Sequence, residues 1–273
     1  MTPLYIAITV ICSVVAVALI ALFVYLSNKW LVVTEYNLQF ENAPEEGVKI
    51  VHLSDLHAAT FGRDNVRLLK KIKEQSPDFI AITGDIIHLY RERDIAVAGR
   101  TVSRLKEIAP VYYVSGNHEM RSRRWREFKE DLRLSGATVL ENEVVQTHGI
   151  NVCGVNCAFL KNEKLFTTAN GVDGFKLLLA HKPEFIERYA LAGYDLALCG
   201  HAHGGQWRLP FTRIGVYSPG QGLFPKYISG VHSCGDMRQV ISRGLGNSEC
   251  PLRLFNRPEI VVVQIDKKKK GAE

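Results

Sequence analysis

The sequence predicts an α/β fold that follows an N-terminal membrane helix, and two observations carry this prediction. Residues 4–26 form a long apolar run without a charge. After that run, short segments rich in β-branched residues alternate with segments whose apolar residues recur at helical spacing. Strands that alternate with helices are typical of α/β architecture. The 273 residues are enough for one large domain with a complete core.

The apolar run at residues 4–26 is longer than the ~20 residues that a helix needs to cross a bilayer. A cleaved signal peptide is the alternative, but the run lacks a preceding basic region and a small-residue cleavage site. We therefore expect a single-pass membrane anchor over residues 1–30, followed by a juxtamembrane strand or linker over residues 31–47. Because Lys29 follows the run and no basic residue precedes it, the positive-inside rule favours a cytoplasmic catalytic domain.

The catalytic domain is predicted over residues 48–266, ahead of a basic tail at residues 267–273. Its first helix is expected over residues 64–75, with an apolar face formed by Val66, Leu69 and Ile72. Further helices are expected over residues 94–108, in a basic segment at 121–129, and from Pro183, since proline suits a first helical turn.

The strands are predicted from short runs rich in β-branched and other apolar residues. Residues 204–236 are rich in Gly, Pro and Ser, and we expect loops and short strands there. The predicted strands are residues 49–54, 79–83, 111–115, 138–142, 151–156, 176–180, 194–199, 239–244 and 259–265.

Positive charge exceeds negative charge, giving a formal net charge of +6. The basic residues are concentrated at 121–129 and in the lysines at 267–270. Basic patches attract anionic partners such as lipid head groups, nucleic acid or phosphorylated substrates. The alternative is that the lysines form a frayed tail and that the arginines are the solvated side of a helix with a buried face of Trp125, Phe128 and Leu132.

The six cysteines do not follow a metal-binding or disulfide pattern. Cys12 lies in the apolar run, Cys153 and Cys157 have three residues between them, and the rest are scattered. We expect buried or free thiols rather than disulfides or a zinc knuckle, which fits a reducing compartment.

Polar residues of one chemical kind follow five of the predicted strands, at the point where each strand ends. The carboxyl ends of strands in an α/β sheet meet at one edge, where loops are free to carry function. So many polar residues at one edge exceed what a folded domain needs, and they indicate a metal site. The candidate ligands are Asp55, His57, Asp85, Asn117, His181, His201 and His203, with His118 beside them.

Carboxylate, imidazole and amide ligands without thiolate suit manganese, iron or zinc, whereas calcium takes only oxygen ligands. The number of candidate ligands implies two ions, because one ion with an open position uses about three protein ligands. In an extended segment His201 and His203 point the same way and can meet neighbouring ions. The glycines around them let backbone and substrate approach closely.

The ordered motifs D-x-H, G-D, G-N-H-E, H and G-H-x-H resemble those of the calcineurin-like metallophosphoesterases, over roughly residues 48–265. With the apolar N-terminal run, GHAHGGQ (200–206) and SRGLG (242–246), the chain is similar to a membrane-anchored bacterial branch of that family. This branch includes UDP-diacylglucosamine pyrophosphatases and related phosphodiesterases. The resemblance implies a two-sheet sandwich flanked by helices.

The resemblance also implies a role for each motif residue. His118 would meet the phosphate without binding a metal, and Asp85 would bridge two ions. One ion would be held by Asp55, His57 and His203, and the other by Asn117, His181 and His201.

Two departures from the family pattern bear on function. Ser54 stands where many relatives have Gly, a small-for-small change that we expect to be harmless. The segment GDIIH at residues 84–88 lacks the DRG found in serine/threonine protein phosphatases, so a protein phosphatase is not expected. Of the remaining histidines, we expect His52 and His148 to be structural, and we leave the roles of His88 and His232 open.

The predicted reaction is hydrolysis of a phosphodiester or pyrophosphate bond by a hydroxide that bridges two divalent ions, with Mn²⁺ the first choice and Fe²⁺ or Zn²⁺ the alternatives. The anchor, the basic helix and the aromatic loop favour an amphiphilic, membrane-associated substrate such as UDP-diacylglucosamine of lipid A synthesis. The loop aromatics could instead pack onto the domain. They are Trp207, Phe211, Tyr217, Phe224 and Tyr227.

Three other functions stay open at this stage. The chain could be a general phosphodiesterase that acts on nucleotides or phospholipids. A nuclease is less favoured, because charge alone is no nucleic-acid-binding module. A metal-binding scaffold without activity is disfavoured by His118, since a binding surface has no need of a proton donor beside the ions.

Overall fold

Two six-stranded sheets pack face to face in a computed structural model of this chain, and helices cover their outer faces. The structure describes residues 3–157, 171–248 and 252–269. The predicted α/β class, the two-sheet sandwich and the apolar N-terminal helix are confirmed.

The strands and helices have the following bounds. The strands are β1 (Val32–Phe40), β2 (Val48–Leu53), β3 (Phe79–Ile82), β4 (Val111–Tyr113), β5 (Ala137–Val139), β6 (Glu143–Thr147), β7 (Ile150–Gly154), β8 (Lys176–Leu179), β9 (Leu196–Cys199), β10 (Tyr217–Ser218), β11 (Gly222–Leu223), β12 (Gly230–Cys234), β13 (Met237–Ile241) and β14 (Glu259–Lys267). The α-helices are α1 (Pro3–Lys29), α2 (Val66–Lys73), α3 (Glu92–Lys106), α4 (Asn117–Met120), α5 (Trp125–Leu134) and α6 (Ile186–Leu191).

The first sheet has the order β1-β14-β2-β3-β4-β5, and the second has the order β12-β13-β9-β8-β7-β6. Strands β2 to β5 are parallel to one another, and so are β7, β8, β9 and β13. The antiparallel partners are β14 beside β2, β6 beside β7, and β12 beside β13. Each sheet therefore has a parallel centre whose strands end at the same edge.

The core follows from the two-residue period of the strands. In β2, Ile50 faces the second sheet and Val51 faces the helices, and both side chains are fully buried. Between the sheets, Phe79 of β3 packs in one cluster with Leu177 of β8 and Leu198 of β9. Burial of an aliphatic side chain of this kind contributes about 1.5–3 kcal/mol.

Helices α2, α3 and α5 cover the outer face of the first sheet, and α6 covers that of the second. The predicted buried face of the basic helix, Trp125, Phe128 and Leu132, is confirmed. In α2 the prediction for Val66 was wrong, because its side chain is 50% exposed while Leu68 is buried instead. The helix begins two residues later than expected, after a 3₁₀ turn at Arg63–Asn65, so Val66 is its first residue.

Two features lie at the ends of the domain that was expected over residues 48–266. In the segment at residues 31–47, where a strand or a linker was expected, β1 adds to the first sheet by parallel pairing with β14. The expected basic tail begins inside β14, where Lys267 pairs with Phe40, and the Lys268 amide donates to the Phe40 carbonyl at 2.9 Å. Residues 270–273 of that tail lie outside the described residues.

Helix α1 is an apolar helix of 27 residues with a mean hydropathy of 3.0 in its most apolar window, and none of that window is buried in the protein. It is long and apolar enough to cross a membrane by length and composition. Its last turn contacts the body of the protein, since Ser27 is buried and Asn28 accepts hydrogen bonds from Asn247 and from the Arg253 amide.

Candidate metal centre

The carboxyl ends of β2, β3, β4, β8 and β9 meet at one edge of the sandwich, and the loops that follow them bring a set of polar side chains together. These side chains are buried or half-buried, although they lie in loops. All eight residues predicted from the motifs are in this cluster: Asp55, His57, Asp85, Asn117, His118, His181, His201 and His203.

The backbone turns sharply at this edge. Five of the clustered residues have left-handed backbone with φ between +46° and +66°, namely Asp55, His57, Asp85, His201 and His203. Left-handed backbone is unfavourable for residues with a side chain, and such residues are concentrated at functional sites. Hydrogen bonds hold these turns, since the amide of Asp55 donates to Gly84 and the amide of His57 donates to Asp85, each at 3.0 Å.

The first donor group consists of Asp55, His57 and His203. Asp55 Oδ1 lies 3.5 Å from His203 Nε2 and 3.9 Å from His57 Nε2. The two imidazole Nε2 atoms are 3.3 Å apart. Asp55 Oδ1 is buried and accepts no hydrogen bond, whereas Oδ2 accepts one from the His201 amide at 2.9 Å.

The second donor group consists of Asp85, His181 and His201. His181 Nε2 lies 3.2 Å from Asp85 Oδ2 and 3.1 Å from Asn117 Oδ1. His181 Nδ1 is 2.7 Å from the Thr83 carbonyl oxygen. Because a carbonyl oxygen only accepts, Nδ1 carries a proton, and Nε2 is the nitrogen that faces Asp85 and Asn117.

Asp85 lies between the two donor groups. Its Oδ2 is 3.2 Å from His181 Nε2 in one group and 3.9 Å from His57 Nε2 in the other. Burial opposes the charged form of His181, but the Asp85 carboxylate outweighs it and raises the pKa of His181 to about 9. Burial alone would likewise raise the pKa of Asp85, and His181 lowers it well below its usual range.

These donor groups fit cations. Asp55 Oδ1 is a buried acceptor without a donor, and a buried carboxylate oxygen is unfavourable unless it is paired or coordinated. Burial also lowers the pKa of His57 and His203, which favours neutral imidazoles. In the tautomers protonated at Nδ1, the two close Nε2 atoms present lone pairs toward the same point. A divalent ion satisfies such a set of facing acceptors, and nitrogen with carboxylate oxygen suits manganese, iron or zinc.

His118 lies at the mouth of the cluster and is less buried than the donor residues. Its Nδ1 is 2.8 Å from the carbonyl oxygen of His88, so Nδ1 carries the proton. This hydrogen bond turns Nε2 toward the cluster, 4.0 Å from Asp85 Oδ2. His118 can therefore present one nitrogen to a bound substrate while its other nitrogen holds the ring in place.

Comparison with protein families identifies the fold and its chemistry. Residues 48–205 match the family model described as calcineurin-like phosphoesterase, and this segment contains all eight clustered residues. The chain belongs to the calcineurin-like phosphoesterase family. Members of this family are metal-dependent phosphoesterases that bind two divalent ions, and the two donor groups of this chain are candidate sites for them.

Three bacterial relatives illustrate the similarity. The metallophosphoesterase YkoQ of Bacillus subtilis is 30% identical over 80% of this chain and 83% of its own length. The phosphodiesterase YaeI of Escherichia coli is 28% identical over 88% of this chain and 90% of its own length. A metallophosphoesterase of Aquifex aeolicus is 29% identical over 90% of this chain and 96% of its own length.

At the edge of the sandwich that carries the donor residues, two loops pass so close to each other that glycine is needed. A Cβ atom at Gly116 would lie 2.1 Å from Asp85 Oδ1, and one at Gly200 would lie 1.7 Å from Ser54 Oγ. Side chains at either position would push the donor residues apart. Ser54 fits here as a buried side chain whose hydroxyl donates to the Thr83 carbonyl at 3.3 Å.

Sequence reasoning missed two residues that hold these loops. Glu119 is fully buried, and one of its oxygens accepts hydrogen bonds from the amides of Asp85 and Gly116 at 2.8 and 2.7 Å. Burial is the main reason that the pKa of Glu119 rises to about 7. Its position three residues after Gly116 is the spacing of a capping box, and this was the available signal.

Asn256 is the second residue that was missed. Its side-chain amide donates to the carbonyl oxygens of His203 and Gln206 and so holds the GHAHGGQ loop against the segment before β14. No local pattern in the sequence links these two segments, which are about fifty residues apart along the chain.

The remaining histidines fall in different places. His88 borders the cluster, with its ring centroid 5.2 Å from that of His118 and 5.6 Å from that of His57. His52 is buried beneath the cluster and bonds Thr83 Oγ1 at 2.8 Å. His148 is exposed in the turn between β6 and β7, and His232 lies on β12 against Tyr227.

The cysteines play no part in the donor groups of the described residues. Cys12, Cys153, Cys157, Cys199 and Cys234 carry free thiols, and Cys250 lies outside the described residues. Burial raises the pKa of Cys153 and Cys157 to about 12. These two thiols are therefore unreactive at neutral pH.

Proposed function

We propose that this phosphoesterase is anchored in the membrane by α1 and hydrolyses a phosphodiester or pyrophosphate bond in an amphiphilic substrate such as UDP-diacylglucosamine. The observation that carries the proposal is the geometry at the strand ends. Two donor groups lie on either side of Asp85, and His118 presents Nε2 at their mouth.

Each donor residue has a role in this proposal. The distances support a site of Asp55, His57 and His203 for one ion and a site of Asn117, His181 and His201 for the other, with Asp85 shared. The mixture of nitrogen and oxygen donors favours Mn²⁺, with Fe²⁺ or Zn²⁺ as alternatives. Bound divalent ions supply Lewis acidity toward phosphoryl oxygens and lower the pKa of water.

The chain's own groups position the substrate and move the proton. His118 Nε2 is free to bond a phosphoryl oxygen or to give a proton to the leaving oxygen, because Nδ1 is held by the His88 carbonyl. Glu119 fixes the Asp85 loop against the Gly116 loop, so the reacting groups keep their spacing.

The membrane association in this proposal is supported by α1 and by the charge of the chain. Lys29 at the end of α1 favours a cytoplasmic domain. The arginines of the basic segment lie on the exposed side of α5 or just before it, where they can meet anionic head groups as well as solvent.

A general phosphodiesterase acting on nucleotides or phospholipids is the second candidate. The observation that favours it is the 28% identity with YaeI, which is named a phosphodiesterase. A pyrophosphatase and a phosphodiesterase use the same attack at phosphorus, so the products distinguish them rather than the site.

The test is product analysis with the full-length protein in detergent micelles that contain UDP-diacylglucosamine. Release of UMP together with a lipid-linked sugar phosphate is the expected result, and the Asp85→Ala variant should release neither. A phospholipid and a nucleotide diester are offered in parallel. If the protein hydrolyses these diesters and leaves UDP-diacylglucosamine intact, the lipid diphosphate is the wrong substrate and the phosphodiesterase candidate replaces it.

A further inference from the structure

A group of apolar side chains is exposed beside the metal centre. We define the apolar rim as Leu209, Phe211, Ile214, Leu223, Phe224 and Phe255. Phe211, Leu223 and Phe224 are 105%, 70% and 67% exposed. Contiguous exposed apolar surface on a folded protein marks an interaction site.

The backbone of the rim is strained in a way that the fold does not need. Phe211, Phe224 and Phe255 all have left-handed backbone, with φ of +62°, +50° and +53°. Bulky residues are rare outliers in this conformation, which glycine or asparagine adopts readily. The rings of Phe211 and Phe224 are mostly exposed, so the fold gains little from phenylalanine at these two turns. Strain of this kind is concentrated at functional surfaces.

The rim is continuous with the end of α1. The ring of Phe255 packs on that of Phe23 of α1, with 5.2 Å between centroids. The Arg208 amide donates to the Leu254 carbonyl at 3.1 Å, so the turn that carries Phe211 extends from the same segment. Exposed Arg257 lies over the ring of Trp30, with 5.1 Å from the guanidinium to the centroid.

The position of Phe23 sets the height of the rim relative to a membrane. Phe23 lies inside the uncharged run and six residues before Lys29, which is about 9 Å along the axis at 1.5 Å per residue. If α1 crosses a bilayer, Phe255 lies at the level of the lipid, because it touches Phe23 from the body side.

The charge around the rim suits a lipid surface. Between residues 204 and 235 there are three basic residues, Arg208, Arg213 and Lys226, and no acidic residue. Arg213 and Lys226 are exposed. Exposed aromatic and aliphatic side chains flanked by basic residues are typical of surfaces that enter the interface of anionic membranes.

The rim also borders the metal centre. Gly220 lies in the hairpin between β10 and β11, and a Cβ atom there would be 3.4 Å from His201 Nε2. Leu223 and Phe224 follow directly in β11 and after it. The hairpin therefore joins the donor residues to the exposed aromatic side chains over a few residues of chain.

We propose that the apolar rim inserts into the interface of the bilayer that holds α1, so that the metal centre opens at the lipid head groups. The occupant of the rim is thus the anionic membrane surface rather than a protein. The proposal rests on the membrane-spanning role of α1 in the proposed function. It adds a second, separate membrane contact that sets the orientation of the catalytic domain.

The test uses the full-length protein in vesicles of phosphatidylglycerol and phosphatidylcholine. Phe211→Trp and Phe224→Trp keep an aromatic side chain at the rim. The added emission of each variant is its tryptophan fluorescence minus that of the wild-type protein. Val15→Trp places a tryptophan in α1 and reports membrane insertion of the helix. Leu191→Trp is the matched control, since Leu191 is 89% exposed but lies near the amino end of β9, opposite to the metal centre.

Brominated phosphatidylcholine then replaces the unlabelled lipid. The bromines are near the ester end of the acyl chains for the rim variants and Leu191→Trp, and near the methyl end for Val15→Trp, because residue 15 is in the middle of the uncharged run at residues 4–26. The rim variants and Val15→Trp should lose most of their added emission, while Leu191→Trp should keep it. Loss at Val15→Trp with full emission at both rim sites would overturn the rim proposal alone. Full emission at Val15→Trp would overturn the membrane anchor itself, and the rim proposal with it. Equal loss at Leu191→Trp would also contradict an oriented rim.

Discussion

Asp85 contacts both halves of the candidate metal centre. Its Oδ2 is 3.2 Å from His181 Nε2 and 3.9 Å from His57 Nε2, and its Oδ1 accepts a hydrogen bond from the His118 amide at 2.8 Å. Asp85 itself has left-handed backbone, which directs the carboxylate over the strand ends. The side chain therefore acts at once on the two donor groups and on the loop that carries His118.

Replacing Asp85 by alanine removes a carboxylate that lies 3.2 Å from His181 Nε2 of one donor group and 3.9 Å from His57 Nε2 of the other. We expect Asp85→Ala to abolish hydrolysis of a chromogenic phosphodiester and to reduce the metal content of the purified protein. The control is Asp236→Ala, in an exposed turn between β12 and β13, which should leave both measurements unchanged. Near-normal turnover in Asp85→Ala would refute the shared position of this residue.

At the scale of the elements, the site depends on how the loops after β3 and β4 are tied together. Glu119 of α4 accepts the amides of Asp85, Ile87 and Gly116 with its two carboxylate oxygens. The loops after β9 and β13 are tied in the same manner by Asn256 and by buried Arg253, whose guanidinium donates to the Arg243 carbonyl. The parallel strands bring the loops near one another, and these side chains fix their spacing.

The Glu119→Ala variant leaves buried amides without an acceptor, and each such group costs roughly 1–3 kcal/mol. We therefore expect a lower free energy of unfolding in urea and a fall in kcat, because the Asp85 loop loses its support. The matched variant is Glu127→Ala on α5, where the side chain is 77% exposed. Wild-type stability and kcat in Glu119→Ala would show that the loops hold their positions without this carboxylate.

The elements also show what a sequence can predict. Five strands are buried, strongly apolar runs that the candidate ligands follow directly, namely β2, β3, β4, β8 and β9. The order of the motifs along the sequence was therefore enough to predict that the donor residues meet at one edge. Strand β6 was missed because it is a half-exposed edge strand with a weak apolar pattern. The side-chain hydrogen bonds of Glu119 and Asn256 join segments that are distant along the chain. No local periodicity in the sequence predicts such contacts.

At the scale of the whole molecule, α1, the first sheet and the metal centre are physically connected. Asn28 accepts hydrogen bonds from Asn247 and from the Arg253 amide, and the amide of Gly246, the residue before Asn247, donates to the Asp55 carbonyl. The membership of β1 in the sheet could not be predicted, because its partner β14 lies at the other end of the chain. Helix α1 therefore continues into the domain through β1 without a free linker.

The pH dependence of stability is a property of the whole molecule to which buried His52 contributes. Burial lowers the pKa of His52 to about 3 in the folded protein, from 6.5. As pH falls, His52 is therefore protonated in the unfolded chain before it is protonated in the folded protein. The contribution of neutral His52 to the free energy of unfolding is complete above pH 6.5 and is lost as pH falls toward 3. At pH 5 the loss is about 2 kcal/mol, from the 1.36 kcal/mol that one pKa unit represents.

The His52→Gln variant keeps a donor for Thr83 but cannot titrate, so it should lose less stability than wild type between pH 7.5 and pH 5. The ligand histidines contribute equally to both proteins, and the difference therefore reports His52. His148→Gln, at an exposed position, should follow the wild-type curve. Urea unfolding at the two pH values is the measurement, and equal acid losses in His52→Gln and wild type would exclude this role.

Metal-dependent hydrolysis by the full-length protein tests whether these residues form a two-ion centre. A chelator is used to strip the protein of metal in detergent, Mn²⁺ is added back, and turnover of a chromogenic phosphodiester is followed beside the Asn117→Ala variant. We expect no turnover after chelation, recovery with Mn²⁺ in wild type, and little recovery in Asn117→Ala. Turnover that survives chelation, or equal recovery in Asn117→Ala, would contradict a two-ion phosphoesterase centre built from these residues.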